Sequence, residues 1–153
     1  MATTYHQIYI QTVFPVKFRK ALIQPEWKSE LQGVLGNLIN EKGCKTIIVN
    51  GTEDHMHCLF GLHPTVSVSD LMKSAKSKSS KWLNETGYLD HRFEWQPGFG
   101  CFSYSRSHLQ KVYGYIEKQE EKHRKISFKQ EYMHMLRKYD PNPNKRYEFE
   151  DLI

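Results

Sequence analysis

The chain has 153 residues, enough to bury one core and short for two domains. Hydrophobic residues make up 39% and charged residues 25%, which excludes a disordered or low-complexity protein, and no apolar run approaches the length of a membrane span. The formal net charge of +5 suits a polyanionic partner.

The three cysteines, Cys44, Cys58 and Cys101, are far apart and form no Cys-x-x-Cys pair. Their apolar surroundings predict buried, reduced thiols, which fits a cytoplasmic protein. The first residues, Met1-Ala2-Thr3-Thr4-Tyr5-His6, carry neither a basic nor an apolar leader region, so no signal peptide is expected.

Tyr5 to Phe14 is rich in β-branched and aromatic residues and predicts a strand that Pro15 ends. Lys17, Arg19 and Lys20 make a basic loop. Pro25 suits a first helical position, Trp27, Leu31, Leu35, Leu38 and Ile39 recur at helical spacing, and Gly43 closes that helix. Cys44 to Val49 predicts a second strand. Asn50-Gly51 reads as a hairpin turn into a third strand over about 54–62. Ser67-Val68-Ser69-Asp70 resembles a capping box and opens a helix to about Asn84, with Gly87 ending the segment. Phe93 to Tyr104 predicts a short strand, a Pro-Gly turn and another strand. Ser105 or Ser107 caps a third helix to about Lys122, and Ser127 a fourth to about Tyr139. Asp140-Pro141-Asn142-Pro143-Asn144 then breaks the chain into a charged tail.

The predicted order β-α-β-β-α-β-α-α is an α+β plan of the ferredoxin-like or RNA-recognition-motif-like kind: one antiparallel sheet with helices on one face, plus a C-terminal helix. No internal repeat or linker divides it, so residues 1–153 form a single domain, with a core over about 5–125 and a C-terminal helix and tail over about 127–153.

Chemistry concentrates in Asp54-His55-Met56-His57-Cys58-Leu59-Phe60. Side chains alternate along a strand, so His55 and His57 point the same way while Met56, Cys58 and Phe60 face the other side. Two imidazoles on a rigid strand can supply much of an open metal site. Asp54 is placed either to orient a ligand histidine or to end the strand. Further on, Tyr115 and Gln119 are four residues apart on one helical face, which His123 continues; Val112 and Ile116 face inward. Two imidazoles and an amide oxygen can hold a divalent cation with positions open for substrate oxygens. A tyrosine beside such a cation can attack a phosphodiester. The sequence identifies no base for its proton.

These residues resemble the single-tyrosine transposases of the HUH superfamily, the insertion-sequence 200/605 group. His55-Met56-His57 matches the His-hydrophobic-His signature, and Tyr115 with Gln119 matches the Tyr-x-x-x-Gln pattern. Trp95-Gln96-Pro97-Gly98-Phe99-Gly100-Cys101-Phe102-Ser103-Tyr104-Ser105 resembles the block before the catalytic helix, and the lysine-serine run Lys73 to Lys81 is similar to the family's own. The likeness spans roughly residues 5–125.

The resemblance implies an enzyme that cuts and rejoins single-stranded DNA at mobile-element ends. Tyr115, on the helix that carries the nucleophile, would hold the 5′-phosphate covalently and release a 3′-hydroxyl. His55, His57 and Gln119 would bind Mg²⁺ or Mn²⁺. The partners implied are single-stranded DNA with hairpin ends and a second copy of the chain, a homodimer in which Tyr115 can act in trans. Lys73, Lys76, Lys78, Lys81 and Arg19 are then candidates for phosphate contacts. Two features depart from the family's pattern. Where many relatives carry a His-His pair the chain has Glu120-Glu121-Lys122-His123-Arg124, and Tyr113 offers a second tyrosine two residues before Tyr115. A hairpin-binding protein without catalysis, and a zinc hydrolase built on His-x-His, are the competing readings.

Overall fold

A computed structural model describes residues 3–152. Four strands, β1 (Tyr9–Pro15), β2 (Lys45–Gly51), β3 (His55–Gly61) and β4 (Gly100–Tyr104), form one sheet in the order β2-β3-β1-β4, every neighbouring pair antiparallel. This is the strand order of the ferredoxin-like plan.

The two faces of the sheet are covered by different helices. Helix α1 (Pro25–Glu41) and helix α2 (Val68–Thr86) pack over the face carrying Ile10, Phe14, Met56, Cys58 and Phe60, and this is the main core. The opposite face is covered in two pieces. Helix α3 (Leu109–Glu117) seats Val112 and Ile116 on Leu59 of β3. Helix α5 (Phe128–Tyr139) seats Phe128, Tyr132 and Met135 on Val13 of β1 and Phe102 of β4. A short helix, α4 (Gln119–Lys122), joins them. The expectation of helices on one face therefore holds for α1 and α2 only. Tyr115 lies on α3 and not on the last helix, α5.

Local chemistry explains most element ends. Pro25 starts α1, the Ser67 hydroxyl accepts from the Asp70 amide to start α2, and Gly87 ends α2 with φ 79°. Ser127 and Gln130 form a reciprocal capping box at the start of α5.

Four expectations need correction. The first strand begins at Tyr9, not Tyr5. Asn50-Gly51 is not the hairpin turn, because both residues remain in β2, opposite His57 and Met56, and the loop is Thr52-Glu53-Asp54. Of the strand expected after Phe93, only an isolated bridge between Trp95 and Val16 forms, since Lys76 and Asn84 of α2 hold this segment through its carbonyls. Cys101 is exposed, on the outward side of edge strand β4, whereas Cys44 and Cys58 are buried as free thiols.

Candidate active site

The period of β3 brings His55 and His57 onto the face between α3 and α5, and both are fully buried. Gly51 makes the hairpin behind them possible: a Cβ there would lie 2.0 Å from the His55 carbonyl oxygen. Each imidazole is fixed by its Nδ1. His55 Nδ1 sits 2.7 Å from Asp54 Oδ1, and His57 Nδ1 sits 2.8 Å from Gln11 Nε2. Both Nε2 atoms face Glu131; Asp54 accepts from His55 Nδ1–H, the partner a ligand histidine commonly has, whereas Gln11 Nε2 donates to His57 Nδ1. Asp54 thus orients His55, one of the two roles its position suggested.

Gln119 comes from the other side. The helix carrying Tyr115 breaks at Lys118, and Gln119 opens α4, buried, with its Oε1 2.9 Å from His55 Nε2. Tyr115, on α3, has its ring centroid 5.9 Å from that of His57 in the same chain. Tyr113 points away and is 39% exposed.

The residue that sequence reasoning missed is Glu131 of α5, which is only 1% exposed. Its Oε1 lies 3.2 Å from His55 Nε2, 3.3 Å from His57 Nε2 and 2.9 Å from His123 Nε2. Its Oε2 accepts from Gln119 Nε2 at 2.7 Å and from the Tyr115 hydroxyl. A single glutamate in a helix of mixed charge looks like solvated surface. The signal was its position three residues after Phe128 and four before Met135, which puts a carboxylate in the middle of an apolar stripe.

The electrostatics follow from this convergence. Burial works against the His55 imidazolium, but hydrogen bonds to Asp54 and Glu131 outweigh it and raise the pKa to about 9. For His57, burial prevails over the attraction of Glu131 and lowers the pKa. Burial disfavours the Glu131 carboxylate, but the surrounding histidines more than compensate and hold it well below the ordinary range. Burial, then the charge of Glu131, push the Tyr115 phenol above its usual value.

His55, His57 and Glu131 present one ligand atom each within 4.8 Å of one another, and the Gln119 Oε1 joins them. Two imidazole nitrogens, a carboxylate and an amide oxygen suit a divalent metal ion. The buried carboxylate, which faces three imidazoles and leaves Oε2 for Tyr115, fits such an ion better than it fits a plain core.

The other candidates lie elsewhere. Lys73, Lys78 and Lys81 are exposed on α2, across the sheet from the histidines. Lys76 turns inward: its ammonium donates to the Gln96 carbonyl at 2.7 Å and to that of Gly98, and sits 5.4 Å from the Phe14 ring centroid. It holds the 96–98 loop. Arg19 is exposed beside a separate hollow that Asp54, Phe128 and the C-terminal segment also line.

A strand-borne His-x-His on a ferredoxin-like sheet, facing a helix with Tyr115, accompanies a family match that makes the chain a DNA transposase of the IS200 type. Residues 4–119 match the family described as Transposase IS200 like, and the chain belongs to that family. It is similar to the ISDra2 transposase TnpA of Deinococcus radiodurans, 22% identical over 123 residues that cover 76% of this chain and 87% of the relative. In fold it is similar to a solved structure of a Deinococcus radiodurans R1 protein assigned as a transposase, with a TM-score of 0.61, 18% identity, and coverage of 78% of this chain and 95% of that one. A REP-associated tyrosine transposase bound to a REP hairpin also shares the fold, with a TM-score of 0.53, 12% identity, and coverage of 78% and 68%. Glu131 and all of α5 lie beyond the stretch that the family description matches. No helix among the described residues is long and apolar enough to cross a membrane.

Proposed function

We propose that this transposase cuts and rejoins single-stranded DNA through a covalent 5′-phosphotyrosine on Tyr115. One observation carries the reading: the Tyr115 hydroxyl meets Glu131, and Glu131 meets both strand histidines, so a half-buried tyrosine and a buried ligand set form one connected cluster. In the reaction Tyr115 Oη bonds to phosphorus as the bond from phosphorus to the 3′ oxygen breaks. The leaving oxygen takes up a proton, and the phosphotyrosine conserves the linkage so that reversal needs no ATP. Glu131 Oε2 accepts from the phenol and so positions its oxygen beside the histidines, and the phenol's proton leaves to solvent through the open side of the site.

His55, His57, Gln119 and Glu131 are the groups that would hold Mg²⁺ or Mn²⁺. Such an ion supplies positive charge for the phosphoryl and leaving oxygens. The protein fixes the two imidazoles through Asp54 and Gln11 and keeps Tyr115 within reach of them. Burial and the Glu131 carboxylate favour the protonated phenol, and the positive charge of a bound cation would favour its ionisation.

The DNA partner is proposed from the relatives, one of which is bound to a hairpin. Lys73, Lys78, Lys81 and Arg19 remain candidate phosphate contacts for parts of the DNA away from the histidines. The proximity of Tyr115 to His57 within one chain favours action in cis, and a homodimer remains part of the proposal. The reading is tested by incubating the protein with labelled single strands from the DNA flanking its gene. A protein-linked label on a denaturing gel, dependent on Mn²⁺ and lost in His57→Ala, is expected. Hairpin binding with no adduct would overturn it in favour of a non-catalytic binding protein.

A further inference from the structure

The cluster at Tyr115 opens into a cleft of about 770 Å³ between β4, α3 and α5. Lys111 of α3, Lys122 of α4, and His134 and Lys138 of α5 line it, and Glu131 is the one acid in its lining. That carboxylate is itself buried and taken up by the histidines, Gln119 and Tyr115. Among the described residues no carboxylate lies within ion-pair distance of Lys111, Lys122 or Lys138. Helical spacing explains how α5 contributes: Glu131, His134 and Lys138 follow one another at three- and four-residue steps, so they share a face.

An aromatic surface also lines the cleft. Tyr139 packs against Phe102 at 5.1 Å between centroids yet stays 56% exposed, so one side of its ring is backed and the other is open. Beside the tyrosine, Lys122 Nζ lies 4.9 Å from the centroid of the Tyr115 ring. Unpaired cations along a groove, with an open aromatic ring and a nucleophile at its base, match the backbone charge and unstacked bases of a single nucleic-acid strand. Duplex DNA offers no free base face to such a ring.

We propose that this cleft holds an unpaired DNA strand leading to the reacting phosphate, with Lys111, Lys122 and Lys138 on its phosphates and Tyr139 stacked on a base. The inference rests on the reading of Tyr115 as a strand-transfer nucleophile. It assigns the reacting strand to α3, α4 and α5, not to the lysine-rich α2 across the sheet.

The test is fluorescence anisotropy with a short labelled unpaired oligonucleotide, over a series of salt concentrations, using the full chain. In Lys111→Ala/Lys122→Ala/Lys138→Ala the salt dependence of log affinity should become shallower by about two, because each single-strand phosphate contact contributes roughly 0.7. Tyr139→Ala should weaken binding roughly tenfold and leave the salt slope unchanged. Lys42→Ala, exposed at the end of α1, should keep single-strand affinity. Should the triple cleft variant melt early, Lys138→Glu alone, at an exposed position, gives the same comparison. Wild-type affinity and slope in the cleft variants, or no single-strand binding by the wild type, would overturn the proposal. Adduct formation reports separately: an adduct with unaltered cleft variants removes only the strand path, and cleft-dependent binding without an adduct removes only the nucleophile.

Discussion

The hydroxyl of Tyr115 on α3 donates to the carboxylate of Glu131 on α5, sixteen residues away. Through its other oxygen the same carboxylate reaches His55, His57 and His123. Helix α5 is therefore part of the site and not merely a lid on β1 and β4. Glu131→Gln keeps the shape and removes the charge, leaving buried imidazoles without their anion. The metal-free variant should lose roughly 2–4 kcal/mol of stability, because breaking a buried ionic cluster strands its partners. Denaturant unfolding checks the stability. Calorimetric titration should show Mn²⁺ affinity reduced at least about tenfold. Unchanged stability would mean that the contact carries no weight.

The raised pKa of His55 makes the stability of the metal-free protein depend on pH. The unfolded chain releases this proton near pH 6.5, whereas the folded chain holds it to about 9. The stabilisation is complete below pH 6.5 and is lost as pH rises through about 9, so stability should fall as pH increases from 6.5 to 8. Above about pH 8 Lys76, whose pKa burial lowers to about 8, works in the opposite direction, so the window ends there. Denaturant unfolding in chelator at several pH values measures the slope, and His55→Gln should flatten it.

Gly51 is predicted to be intolerant of any side chain. An alanine Cβ would meet the His55 carbonyl oxygen at 2.0 Å and the Met56 Cα at 2.8 Å, both backbone atoms that cannot swing aside. Gly51→Ala should cost on the order of 2–4 kcal/mol and displace the strand that carries both histidines. Circular dichroism melts check the stability, and Mn²⁺ titration of the remaining folded protein checks the site.

Tyr115 lies beside the histidines of its own chain, which predicts a result for mixed subunits. Tyr115→Phe and His57→Ala chains should each fail to form the adduct, and mixing them should restore nothing. Activity recovered in the mixture would establish that the tyrosine of one subunit serves the histidines of another.

Much of the site was legible because its periods are short and local. Alternation along β3 placed His55 and His57 on one face, and a four-residue step placed Tyr115 near Gln119 even though the helix breaks at Lys118. The sheet order followed from the element order and the rule that such units split around a central strand. Glu131 was not legible as a site residue, since its meaning depends on which helix closes over the histidines, and that is a tertiary fact. Asn50-Gly51 misled for a related reason: the dipeptide favours turns, but here close packing against His55 sets the need for glycine, and the turn falls later. The helical lysines showed charge without direction. Only the fold shows that Lys76 is turned inward and that Lys138 lines the tyrosine's cleft.

The central claim is that Tyr115 is the nucleophile of a metal-dependent strand transfer. Its most direct test is to digest the adduct formed with Mn²⁺ and a single-stranded substrate and to locate the modification by fragmentation in a mass spectrometer. A 5′-phosphodeoxynucleotide on Tyr115, absent when a chelator replaces Mn²⁺, is the predicted result. The same group on Tyr113 or Tyr104, or an adduct that forms equally well without metal, would contradict the account.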